Sequence, residues 1–333
     1  MAQTKFDVLA IGNAIVDVLS HTDEAFLADQ SLAKGTMQLI DEARAESLYG
    51  LMGPAVIVSG GSASNTAVGL ASLGTRTAFI GKVRDDELGR LFTHDLTATG
   101  VHFDTVPAAD GPATARCFVL VTPDGERTMN TYLGACQRLG PEDIDEAAVR
   151  SAGIVYLEGY LWDPPAAKDA FRKAVRIAHE AGNRVAMTLS DPFCVDRYRD
   201  EFRELIRNGS LDILFANIHE LKSLYQTADE ETALAALSNE KLLGVVTRSA
   251  EGATVVEKGF LESVPAFPVD NVADTTGAGD LFAAGFMAGF AAGRDNRTCA
   301  RLGGLAAAEI IGHLGARPQA DLAQLAREAG LLG

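Results

Sequence analysis

Residues 274–290 read DTTGAGDLFAAGFMAGF, from Asp274 to Phe290. Gly277-Ala278-Gly279 carry almost no side chain, and Phe282, Phe286 and Phe290 follow at i, i+4 and i+8. That spacing predicts a helix with an apolar stripe. Small residues at a helix start leave unpaired backbone N–H groups open to approach, and those groups, with the helix dipole, favour an anion. Asp280 falls in the first turn. A carboxylate there can accept a proton from an attacking hydroxyl while the amides stabilise charge on a transferring phosphoryl group. On residue types alone, a Gly-rich turn before a packed helix, with Asp280 merely favourable to the dipole, fits equally. The P-loop pattern GxxxxGK[ST] is absent, and the turn does not complete GxGxxG.

Outward from this segment, strand-like and helix-like stretches alternate. Phe6–Gly12, Arg76–Val83, Gly153–Gly159, Arg184–Leu189, Leu211–Phe215 and Gly244–Thr247 read as strands. Ala63–Leu73 reads as a helix closed by Gly74, Asp85–Thr99 as another, and a third runs to Ala181 from Asp163 as N-cap with Pro at its first position. Repeated β-α alternation predicts an α/β fold with a parallel sheet covered on both faces. Gly252–Glu257 is expected to pair with the strand before it. Two regions interrupt the alternation: 18–55, with a helix and the extended stretch GTMQLI, and 112–136, with a hairpin about Pro123-Asp124-Gly125. They are expected to form a small β-rich lid on a single domain spanning 1–333.

The composition narrows the partners. With 333 residues, 47% of them hydrophobic, the chain can bury a large core. A net charge of −16 argues against a nucleic-acid partner. Cys117, Cys136, Cys194 and Cys299 lack CxxC or Cys/His spacing, as in a reduced protein without disulfides or zinc. The N-terminus does not read as a signal peptide, and no run reaches the length of a membrane span, so the expected location is the cytoplasm. A monomer and a homodimer both fit.

The segment Asp274–Asp280 and its continuation LFAAGFMAG resemble the C-terminal signature of the ribokinase/PfkB family of kinases. The resemblance implies a ribokinase-like three-layer α/β/α fold with a mostly parallel sheet, and ATP-dependent phosphorylation of an alcohol. It gives Asp280 the role of general base and makes Gly277, Ala278 and Gly279 the anion hole. Ser59–Ala67 (SGGSASNTA) resembles the family's N-terminal signature, although Arg84 stands where that signature has Gly. Gly12–Asp17 (GNAIVD) follows the first strand, where open α/β sheets bind ligands. From the residues alone, Asn13 and Asp17 serve equally well to end the strand.

The GNxxxD and GGSxxN spacings are similar to those of the adenosine kinase branch. That likeness implies Asn13, Asp17, Gly61, Ser62 and Asn65 around the ribose hydroxyls, with the 5′-hydroxyl facing Asp280. Phe193, in TLSDPF, would stack on the base, with a second aromatic wall near Tyr160–Trp162. On the ATP side the resemblance implies Arg127 as a lid arginine, together with Thr247 and Gly252. Ser249 stands where Gly is usual, so the backbone is expected to differ there. Asn217 and Glu220 would organise Mg²⁺ through water, although NxxE alone is more often a helix cap. Asp274 and Thr276 are candidates for a monovalent cation, K⁺. Another nucleoside or a free sugar is the alternative substrate, and a non-catalytic relative the remote alternative.

Overall fold

The computed structural model describes residues 4–269 and 271–332. Its strands are β1 (Phe6–Ile11), β2 (Ile15–His21), β3 (Met37–Leu39), β4 (Val56–Gly60), β5 (Thr77–Ile80), β6 (Ala115–Val121), β7 (Arg127–Tyr132), β8 (Ala152–Glu158), β9 (Arg184–Thr188), β10 (Ile213–Asn217), β11 (Leu243–Thr247), β12 (Ala253–Glu257) and β13 (Phe260–Val264). The helices are α1 (Glu24–Asp29), α2 (Glu42–Leu51), α3 (Ser62–Ser72), α4 (Glu87–Ala98), α5 (Glu146–Arg150), α6 (Pro165–Glu180), α7 (Pro192–Arg207), α8 (Ile218–Tyr225), α9 (Glu230–Ser238), α10 (Ala278–Ala291), α11 (Asn296–Ile311) and α12 (Leu322–Glu328).

Among the described residues, eight strands form one sheet in the order β13-β12-β11-β10-β9-β8-β1-β5. From β11 to β5 the pairs are parallel, and β12 and β13 add an antiparallel edge. The period-2 alternation of β1 shows why both faces are covered: Val8 and Ala10 join one apolar cluster, Leu9 and Ile11 the other. This is the ribokinase-like α/β arrangement expected from the sequence. A second, mixed sheet of five strands runs β3-β7-β6-β2-β4. Its two connections to the large sheet that matter here are short. Gly12-Asn13-Ala14 joins β1 to β2, and Gly61 joins β4 to α3.

Local details differ from the sequence reading. The N-cap of α6 is Pro164, not Asp163. Asp163 is instead engaged by Arg197 and by the Tyr198 hydroxyl, so α7 takes the carboxylate that would have capped α6. Region 18–55 holds two helices, α1 and α2, each capped by an aspartate, rather than one. Among the described residues no helix is long and apolar enough to cross a membrane.

α10 is buried continuously from Leu281 to Gly289, more than a one-sided stripe requires. The reason is close approach to α11. A Cβ on Gly285 would stand 2.3 Å from the Leu302 carbonyl oxygen, and one on Gly303 would stand 2.7 Å from the Phe282 oxygen. These are backbone contacts that no side-chain rotation relieves. Gly285→Ala should therefore destabilise the protein by about 1–3 kcal/mol through overpacking, although alanine favours helix by roughly 1 kcal/mol. Thermal denaturation checks this, and a midpoint at or above that of the parent would rule out such close packing.

Candidate functional site

α10 begins on Gly277, whose φ of 80° lies in the left-handed region that favours glycine. The backbone of Ala316 stands against Gly277, while nothing lies within 4 Å of where a Gly279 side chain would begin. The N–H groups of Gly279 and Asp280 make no hydrogen bond to a described backbone carbonyl. The turn thus offers donors to an open space, as its composition suggested.

Asp280 lies beside these donors. Its Oδ1 accepts from the Ser62 hydroxyl at 2.6 Å and its Oδ2 from the Asn65 amide at 3.3 Å. Burial pushes its carboxyl up to about 6, against the pull of those two hydrogen bonds. Asn65 is itself buried, and its Oδ1 has no partner. A buried, unsatisfied acceptor beside a carboxylate suits a hydroxyl-bearing ligand. Ser62 and Asn65 reach this position because β4 ends in Gly60-Gly61 and runs straight into α3. Gly61 has φ 92°, and a Cβ on it would meet the Asn13 carbonyl at 2.4 Å.

Asp17, on β2, lies over Gly60, where any side chain would meet its carboxylate. Burial pushes it up to about 7, opposed by the charges of Arg317 and Arg127 and reinforced by Asp280. Asn13 sits differently from expectation. Its side-chain amide donates to Glu158 at 2.6 Å and is fully enclosed, so it braces the loop from behind. Glu158 also accepts from the Ala63 N–H at 2.9 Å, and burial pushes it up to about 7. It thereby fastens the β1–β2 loop to the start of α3.

Sequence reasoning missed Glu158. It also missed Arg317, which donates to the Ser64 hydroxyl at 3.0 Å and whose Nε is buried without a partner. Burial lowers this guanidinium to about 10 while Asp95 and Asp17 act to raise it.

The candidate base walls separate. Phe193, near the start of α7, is 78% exposed and free to stack. Trp162 is core: it is 1% exposed, packs on Phe171 and Phe202, and donates to Glu201. Of the suggested second wall, Tyr160 alone borders the carboxylates Asp191, Asp280 and Glu220. Its N–H donates to Ser190, a non-glycine residue held at φ 73°.

Asn217 and Glu220 form a reciprocal capping box on α8. Both Glu220 oxygens accept from Asn217, at 2.5 and 2.9 Å, so direct metal ligation by Glu220 is disfavoured. Burial pushes Glu220 up to about 7, and the charges of Asp191 and Asp280 add to the rise. Among the described residues no group of three or more His, Cys, Asp or Glu side chains suits a metal ion, so a divalent cation would reach Asn217 and Glu220 through water and with its phosphates.

Thr247 ends β11 opposite Asn217. Gly252, at φ 91°, is required by the Val264 carbonyl 2.1 Å from any Cβ. Ser249 adopts φ 51°, in the left-handed region that favours glycine. At Arg84 the turn is held by a hydrogen bond from its N–H to the Thr114 hydroxyl.

Asp274 and Thr276 do not present an open cation site. Asp274 already accepts from the Thr276 and Gly315 N–H groups, each at 3.0 Å, and its carboxylate pairs with Arg127. Arg127 accordingly lies at the anion turn itself rather than free in the lid.

Residues 37–322 match the sequence profile described as pfkB family carbohydrate kinase. The chain is similar to the crystal structure of adenosine kinase from Sinorhizobium meliloti, with 55% identity, TM-score 0.93, and 98% of this chain and 99% of that one covered. It is similar also to a probable sugar kinase protein from Rhizobium etli, with 51% identity, TM-score 0.95, and coverage of 99% and 100%. An ATP-dependent ribose-1-phosphate kinase of Halopiger xanaduensis is 35% identical over 264 residues, covering 79% of this chain and 84% of the relative.

The raised carboxyls set a pH dependence of stability. Asp17, Glu158 and Glu220 stand at about 7 and Asp280 at about 6. Each is above its unfolded value, so the folded state binds protons first as pH falls. These groups therefore add stability as pH falls through the window from about 7 to about 4, and lose it as pH rises again. The thermal midpoint should be higher at about pH 5.5 than at about pH 8. A midpoint that instead falls on acidification through that window would contradict the burial of these groups.

Proposed function

This chain belongs to the pfkB family of carbohydrate kinases, ATP-dependent enzymes that phosphorylate an alcohol group, and we propose that its acceptor is adenosine. The observation that carries the site assignment is the carboxylate of Asp280, held by Ser62 and Asn65 at a helix start whose amides are open. In the proposed reaction the ribose 5′-hydroxyl gives its proton to Asp280, and its oxygen attacks the γ-phosphorus of ATP. The bond to the bridging oxygen breaks, and AMP and ADP leave. A base near 6 is ionised at neutral pH and still accepts a proton in the transition state.

The open amides of Gly279 and Asp280, with Arg127 at the same turn, form a positive rim for the terminal phosphate. Asp17 and the free oxygen of Asn65 take the ribose hydroxyls, above the backbone of Gly61. Asn13 and Glu158 hold that loop in place. Thr247 and Gly252 would border the nucleotide, and Asn217 and Glu220 would hold Mg²⁺ through water. Mg²⁺ bound with ATP supplies charge neutralisation on the phosphates.

Adenosine is favoured over a free sugar by Phe193, a large exposed ring in the first turn of α7, which follows Ser190, the acceptor of the Tyr160 N–H. The likeness to the Sinorhizobium meliloti enzyme supports the same reading. Likeness to a ribose-1-phosphate kinase supports the second reading, a phosphorylated or free sugar acceptor. Two measurements decide. Asp280→Asn should lower kcat by about 10²–10⁴ while the protein stays folded; undiminished turnover would remove Asp280 from the reaction. In a panel of adenosine, other nucleosides, ribose, fructose and ribose 1-phosphate, adenosine should give the highest kcat/KM. Phe193→Ala should raise KM for adenosine more than for any sugar. Efficient use of a sugar with none of adenosine would reject the nucleoside.

A further inference from the structure

Resting on the kinase reading above, we propose that the guanidinium of Arg127 takes the place of a monovalent cation beside the anion turn, so that phosphoryl transfer by this chain needs no potassium. Asp274 and Arg127 are both enclosed, with side-chain exposures of 4% and 11%, and the guanidinium lies against the carboxylate as an ion pair without a hydrogen bond from its Nη2. The other protein groups aimed at Asp274 are donors: the Thr276 N–H on one oxygen and the Gly315 N–H on the other, each at 3.0 Å. A bound K⁺ would have to displace the guanidinium and leave a buried arginine without its partner.

Two nearby carbonyl oxygens already accept hydrogen bonds. The Ile311 carbonyl accepts from the N–H groups of both Ala273 and Asp274, and the Thr275 carbonyl accepts from that of Ala278. Among the described residues no cluster of three or more His, Cys, Asp or Glu side chains suits a metal ion. The positive charge next to the turn is therefore intrinsic. It comes from β7 of the five-stranded sheet, while Asp274 belongs to the turn before α10. The ion pair positions the turn and seats the smaller sheet on it in a single contact.

The test uses the full chain in KCl, NaCl and tetramethylammonium chloride at one ionic strength. Thermal midpoints are read without substrate, and initial rates with ATP, Mg²⁺ and adenosine. The parent protein should show the same midpoint and the same rate in all three salts. Arg127→Gln should lose about 10- to 100-fold in rate, the range seen when a supporting partner of a charged site is removed. It should regain part of that loss in K⁺ but not in tetramethylammonium, with a midpoint that K⁺ raises selectively.

K⁺-selective activation of the parent, or a K⁺-selective rise in its midpoint, overturns the proposal. An Arg127→Gln variant whose midpoint ignores the cation also overturns it. If that variant does not fold, the parent's response alone decides. Because the midpoints need no turnover, a failure of the kinase reading would show only in the rates and would leave the cation result standing.

Discussion

A carboxylate removed from water must be held by donors, and in this chain the donors come from the start of another helix. The 2.6 Å hydrogen bond from Ser62 to Asp280 spans 218 residues and brings the N-terminal turns of α3 and α10 together. The same economy recurs around it. Glu158 takes the Ala63 N–H and the side chain of Asn13, and Glu220 takes the N–H and the amide of Asn217. Each acid is raised because burial outweighs the hydrogen bonds it receives. The result is a set of acids poised near neutrality at the end of β8 and in the first turns of α8 and α10.

Features written in local composition were the ones legible beforehand. The Gly277-Ala278-Gly279 turn, the Gly60-Gly61 entry into α3 and the hairpin at Pro123–Gly125 are each dictated by backbone dihedrals that few residues reach. The alternation of β and α segments fixed the large sheet for the same reason, since burial on both faces leaves a continuous apolar run. Resemblance then attached a chemistry to those turns that residue types alone left open.

What escaped the sequence is long-range pairing. Glu158 closes an unremarkable apolar strand, and its partners lie 95 and 145 residues away. Arg317 meets Ser64 across 253 residues. Trp162 looked available as an aromatic wall until its neighbours Phe171 and Phe202 were seen to enclose it. Ser249 shows the converse. There the tertiary frame holds a serine in the left-handed conformation and absorbs a cost on the order of 1–2 kcal/mol.

The short joints between the sheets have a consequence for turnover. The peptides at Gly12–Ala14 and Gly61, where a Cβ on the glycine would meet the Asn13 carbonyl, join the small sheet to the large one. They also form the floor on which the acceptor's hydroxyls would rest. Any tilt of one sheet against the other would therefore pass through the cradle itself, coupling how the acceptor is gripped to how the two sheets sit.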